Sequence, residues 1–403
     1  MKKSINLSFL HYIVGISSFV IVFMMIFSGS KDITTTYLGP KILSLTHIFI
    51  LLFAGNLSIG FLYQIIHFAF KVEPKSIISG YITLILLTGG TILISTAFWR
   101  TFIAKNILLE IGGTMIFIAV FLFILNIFLS FRKIEKKTIS EKFIITSTIW
   151  FLLTALGGIM MVVNASTGLL GKENPQLIKL HLHMGVIGWL IMLIIGILFK
   201  IFPLFFGNEI KNKKITNFAF YLSNLSLFSL VILHFIFENL IISSIVSGIF
   251  LLSIIIIMKE LKSICRKKTS YLKISKFNEI LIPLMIILSV LFFVLSVFSK
   301  ENSIIYSIAY VASLLLGFIT AFFYVIIPLT SSFINNYNSK STSETNIENV
   351  NNYHMYFYFA GFCLFLSGII LQFPILINSS CGFFLISSIF LVKNLKDLMY
   401  SKQ

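Results

Sequence analysis

The residues of this chain best suited to chemistry are histidines, with one carboxylate beside them: His47, His181, His183, His234 and Glu238. A neutral imidazole is a common ligand for haem iron and for copper. Inside an apolar helix such a side chain is costly unless it faces a bundle interior or holds something. His181 and His183 are two residues apart, which is about 200° round a helix of 3.6 residues per turn, so they face nearly opposite sides. His234 and Glu238 are four apart and share a helix face, which makes them a second metal or proton site. Plainer readings stand beside these. A histidine near a helix end also serves as an interfacial residue bonded to water or a carbonyl, and Glu238 also reads as the carboxylate of a tight turn.

The element that must position two of these histidines is the stretch Leu180 to Phe206, LHLHMGVIGWLIMLIIGILFKIFPLFF. Aligned without gaps, His183, Gly196, Phe199 and Pro203 fall opposite His47, Gly60, Tyr63 and His67, and opposite Ile308, Ala321, Tyr324 and Pro328. The three copies start about 130 residues apart, a fixed period of the kind that marks an internally repeated architecture. His47 and His183 thus occupy one position in two copies, so each is expected to point the same way relative to a common axis. Gly55, Gly60, Gly188 and Gly196 read as close-packing positions between helices, and Pro203 and Pro328 as helix ends.

Composition sets the surroundings. The 403 residues are 58% hydrophobic and 11% charged, with a mean hydropathy of +1.00; in a soluble domain about a quarter of residues are charged. The chain therefore reads as an integral membrane protein in a lipid bilayer. A net charge of +17 lies in short loops between apolar runs, where it sets topology, and implies no nucleic acid. Cys265, Cys363 and Cys381 have no metal-ligand spacing and read as packing residues. The first apolar run lacks a small-x-small cleavage pattern and is expected to be a retained span.

A span needs about 20 mainly apolar residues. That rule predicts an all-α protein with spans near 9–28, 43–70, 76–98, 107–131, 143–163, 177–206, 216–237, 240–259, 278–299, 303–334, 353–373 and 375–395. The second, sixth and tenth are long and are the three copies, so a single membrane domain of three four-helix repeats is expected, near 1–131, 132–260 and 261–403, with a polar loop at 335–352. Of the 31 Lys and Arg, 23 fall in one alternate set of loops and tails, 7 in the other, and Lys200 inside a span. By the positive-inside rule both termini are cytoplasmic, in a bacterial inner membrane. His47, His181, His183 and His234 then gather near the outer surface, and His11, His67 and His354 at inner ends.

This pattern resembles the catalytic subunit of the haem-copper oxidase superfamily, which includes nitric oxide reductases. LTHIFILLFAGNLSIGFLYQIIH and HLHMGVIGWLIMLIIGILFKIFPLF resemble short proteins labelled cytochrome c oxidase subunit I-like, and the skeleton of outer His, mid-helix Gly and terminal Pro is also similar to the NnrS family. The resemblance implies that His47 ligates a low-spin haem, that His183 or His181 supplies a copper ligand, and that His234 lies on the helix carrying the copper-binding pair. The chain departs from that pattern on several helices. Tyr306 to Tyr310 holds no histidine where the family has His-x-His, Ile187 replaces the redox tyrosine, and helix seven has one histidine instead of two. Spans eight to ten carry no interior Lys or Glu for a proton path, so pumping is not expected. What remains suits one haem b (heme b) on His47 and His183, or a single copper. The expected function is electron transfer or nitric oxide and oxygen chemistry, with cytochrome c or quinol as donor. A non-catalytic haem or copper sensor, carrier or assembly factor is the first alternative. A secondary transporter is the other, although those folds are built from two halves or inverted repeats.

Overall fold

The computed structural model of the chain describes residues 2–33, 39–100, 105–168, 175–236, 240–265, 276–299, 301–338 and 352–400. Every regular element among them is helical, as hydrocarbon demands of a chain whose backbone groups have no water to bond. Among the described residues twelve helices are long and apolar enough to cross a membrane: Ser4–Gly29, Pro40–Phe70, Ile77–Trp99, Lys105–Phe131, Ile139–Thr167, Leu180–Phe206, Lys213–Leu233, Ile241–Ile264, Phe277–Phe298, Ser303–Ile334, Tyr353–Ile370 and Pro374–Lys396. All twelve expected spans are present, with ends shifted by a few residues. Most of the polar loop expected at 335–352 lies outside the described residues.

Local chemistry explains several ends. Pro40 opens the second span at its first turn, where a missing N–H costs nothing. Thr138 and Glu141 form a reciprocal capping box at the start of the fifth. Gly168 and Gly207 close the fifth and sixth with φ of 70° and 67°, a conformation that glycine adopts without strain. Pro203 sits in the last turn before Gly207, consistent with a helix end. Pro328 does not end its helix: the tenth span continues through it to Asn338.

The second, sixth and tenth spans differ from the rest in two ways. They are the most deeply buried, with 67, 72 and 78% of their most apolar stretch inside against 50% or less for the other nine. Each is also interrupted by a widened π-helical stretch, Ile48–Gly55, Met184–Ile191 and Ser313–Ile319. Such stretches are rare and concentrate at functional sites. In the second and sixth spans the stretch begins at the residue after His47 and His183, the aligned pair. In the tenth it follows Ala312, four residues beyond the aligned Ile308.

The helices form two compact units. The first comprises Ile65–Gly90 and Leu109–Tyr271, apart from Met1. Its core gathers Phe143, Phe199, Phe220, Met192 and Ile257, beside a smaller cluster of Trp150, Leu180, Met184 and Leu227. Gly188 permits the fifth and sixth spans to meet, since a Cβ there would lie 2.7 Å from Trp150 Cγ. The second comprises Lys2–Gln64, Thr91–Leu108 and Leu272–Gln403. Its interior is a run of rings: Phe23 stacks on Phe384 at 4.1 Å, Phe19 tilts against Phe53 at 4.5 Å, and Tyr324 meets Tyr358 at 5.4 Å. Gly60 brings the first and second spans together, a Cβ there falling 2.8 Å from His11 Cβ and 3.0 Å from Ser8 O. Both glycines are close-packing positions, as their sequence context suggested.

Candidate functional site

His47 and His183 are the last residues before a π-helical stretch in their respective spans. His47 is part-buried and its Nδ1 lies 2.7 Å from Leu43 O. A carbonyl only accepts, so Nδ1 carries the proton and the lone pair of neutral His47 is on Nε2. A backbone carbonyl on one ring nitrogen is the usual way a protein orients an imidazole whose other nitrogen binds a metal. The His47 ring also packs 5.5 Å from Phe98 of the third span, and Ser44 Oγ donates to Ser95 O at 2.9 Å one turn before it. Lys41, over the Trp99 ring at 5.6 Å, lies near the same helix ends.

His181 and His183 part company as their spacing demands. The His181 ring lies on the glycine pair of the fifth span, its Cε1 3.3 Å from the Cβ position of Gly158 and its Nδ1 3.7 Å from that of Gly157. His183, about 200° round the helix, is turned from that contact. His47 belongs to the second unit, and His181 and His183 to the first. His234 is in the helix Lys213–Ile236, and Glu238 lies outside the described residues. Among the described residues no three His, Cys, Asp or Glu side chains converge as a metal cluster.

The donor set bears on the expected haem at His47, whose tautomer would suit ligation of iron through Nε2. The rings of Phe49 and Phe53 lie 5.0 Å apart in the widened stretch that follows His47.

Sequence reasoning passed over the polar groups that are most firmly built. Glu141, 2% exposed, takes Lys200 Nζ at 3.0 Å on Oε1, while its Oε2 accepts the Thr138 N–H at 2.7 Å and the Thr138 hydroxyl. Lys200 Nζ also stands 4.4 Å from the centroid of the Phe70 ring. Two signals were available: a lysine alone in an apolar run, and the T-x-x-E spacing of a capping box. The histidines expected at inner ends are not alike. His67 pairs with Glu73 at 2.5 Å and is half-exposed. His11 is fully buried with Nδ1 2.8 Å from Asn56 Oδ1. Beside it Tyr12 donates to Gln64 Oε1 at 2.6 Å, and Gln64 Nε2 donates to Ser331 Oγ at 2.7 Å. His354, 1% exposed, donates from Nε2 to Tyr324 O at 3.1 Å and accepts on Nδ1 from Asn394 Nδ2 at 3.2 Å. The carbonyl it reaches is the one Pro328 deprives of its helical N–H.

No protein-family model matches the chain, and no curated protein matches it.

Proposed function

We propose that this chain is a haem-binding membrane protein of haem-copper oxidase-like type, with His47 and His183 as the ligand candidates and copper as the alternative metal. Its sphere is respiratory electron transfer or nitric oxide and oxygen chemistry, without proton pumping. The observation that carries the reading is the shared setting of the two histidines: each immediately precedes a π-helical stretch in one of the three most buried spans. The Nδ1–H bond of His47 to Leu43 O adds to it by leaving the ligating lone pair on Nε2. Haem b, when bound, supplies a one-electron couple whose potential is set by axial ligands and burial. The part of the chain is to hold the imidazoles and to shield them with apolar rings, as Phe98 does for His47.

The test is a reduced-minus-oxidised visible spectrum of the purified, detergent-solubilised protein with pyridine haemochrome quantitation. A b-type band at about one haem per chain is expected, and His47→Ala and His183→Ala should each abolish it. A band that survives both substitutions overturns the ligand assignment, and a flat wild-type spectrum removes haem. Haem-loaded protein that turns over neither oxygen nor nitric oxide would place the chain with sensors, carriers or assembly factors. Secondary transport is the second reading, favoured by one observation. Glu141, in the first turn of the fifth span, and Lys200 of the sixth form a buried ion pair at 3.0 Å between two spans, and charges on membrane spans commonly mark substrate or ion paths.

A further inference from the structure

A π-helical stretch opens the backbone ladder where it returns to α-helix, and the side chains beside that opening differ among the three stretches. In the second span Asn56, the first residue after the stretch, turns its side chain back and donates from Nδ2 to Leu52 O at 2.9 Å. In the tenth, Thr320 holds the same place and its amide reaches Leu315 O and Gly317 O and steps over Leu316 O; the Thr320 hydroxyl at 3.0 Å and the Tyr358 hydroxyl at 3.2 Å donate to the two carbonyls beside it. In the sixth span the residue in that place is Met192, whose side chain has no donor. Its amide reaches Ile187 O and Trp189 O and steps over Gly188 O.

The residue after Gly188 carries the matching donor. Trp189 is 1% exposed, its ring lies flat on Phe151 at 3.5 Å, and its Nε1–H meets no protein acceptor among the described residues. Buried hydroxyls in the same position, such as Ser313 and Thr330, can rotate onto a carbonyl of their own helix. An indole N–H is rigidly placed and has no such recourse, and buried polar groups of this kind are regularly met by an internal water.

We propose that the π-helical stretch of the sixth span binds an internal water, which accepts from Trp189 Nε1–H and donates to the backbone carbonyl opened beside it. The guest must both accept and donate, and it must be small and uncharged to lie between packed rings within hydrocarbon depth. Water meets all four conditions. It gives the first unit a source of exchangeable protons in the same helix as His183, whether or not that histidine takes a metal.

The chain has three tryptophans, so a full-length sample labelled with 15N-tryptophan gives three indole signals, and Trp189→Phe identifies the one that concerns the site. The expected result is a Trp189 N–H signal at a hydrogen-bonded shift with magnetisation transfer to water. A signal at a non-bonded shift with no transfer overturns the proposal. Met192→Asn supplies to the sixth span the amide that Asn56 supplies to the second. It should abolish the water transfer while leaving the Trp99 and Trp150 signals in place; transfer unchanged in that variant also overturns the proposal.

Discussion

The Glu141 carboxylate is the group whose surroundings fix its chemistry most tightly. Both oxygens are engaged, one by Lys200 and the other by the backbone and hydroxyl of Thr138. Removing one member of a buried pair leaves the other charge uncompensated, at a cost of about 3–5 kcal/mol, whereas removing both charges is often near neutral. Lys200→Met is therefore expected to lower the thermal unfolding temperature in detergent sharply. Glu141→Gln added to it should recover most of the loss, because glutamine still fills its place in the capping box. A double variant no more stable than Lys200→Met would show that the lysine acts by packing over Phe70 alone. Residue chemistry was legible in the sequence where it is local. The T-x-x-E cap and the opposed faces of His181 and His183 follow from spacing. The partner of Lys200 does not, because the two side chains are far apart along the chain and a lysine in an apolar run says only that some counterpart exists.

At the scale of elements, length and hydropathy made the twelve helices legible, but not their interior irregularities. One added residue in a helical turn scarcely alters an all-apolar pattern, so the π-helical stretches have no sequence signature of their own. His47 and His183, aligned in the sequence, stand at the thresholds of two of them, which the alignment itself did not foretell. Pro328 was misread as a helix end for a related reason. A proline inside a helix is tolerated when another group satisfies the carbonyl it orphans, and here that group is His354 on a different span. His354→Leu should then destabilise the protein by about 1–3 kcal/mol, the cost of leaving a buried carbonyl without its donor. Pro328→Ala returns an N–H to the helix, so in its background the same histidine substitution should cost much less. Comparing thermal unfolding across the four-member cycle measures this coupling, and equal losses in both backgrounds would refute the repair role of His354.

For the whole molecule, twelve spans put both termini on one side of the membrane if every span crosses, and loop charge chooses the side. The 23 to 7 division of Lys and Arg is strong because it is made by short loops, the setting in which positive charge governs insertion. Lys133 and Glu301 are both exposed and lie in loops separated by the fifth to ninth spans, an odd number, so they must face opposite sides. By the positive-inside rule the charge division predicts a cytoplasmic Lys133. In a variant freed of Cys265, Cys363 and Cys381, Glu301→Cys should react with a membrane-impermeant maleimide in intact cells, while Lys133→Cys should react only after the cells are opened. The reverse pattern would overturn the orientation and move His47, His181 and His183 to the cytoplasmic side. Reaction of both in intact cells would mean that one of the five intervening helices does not cross.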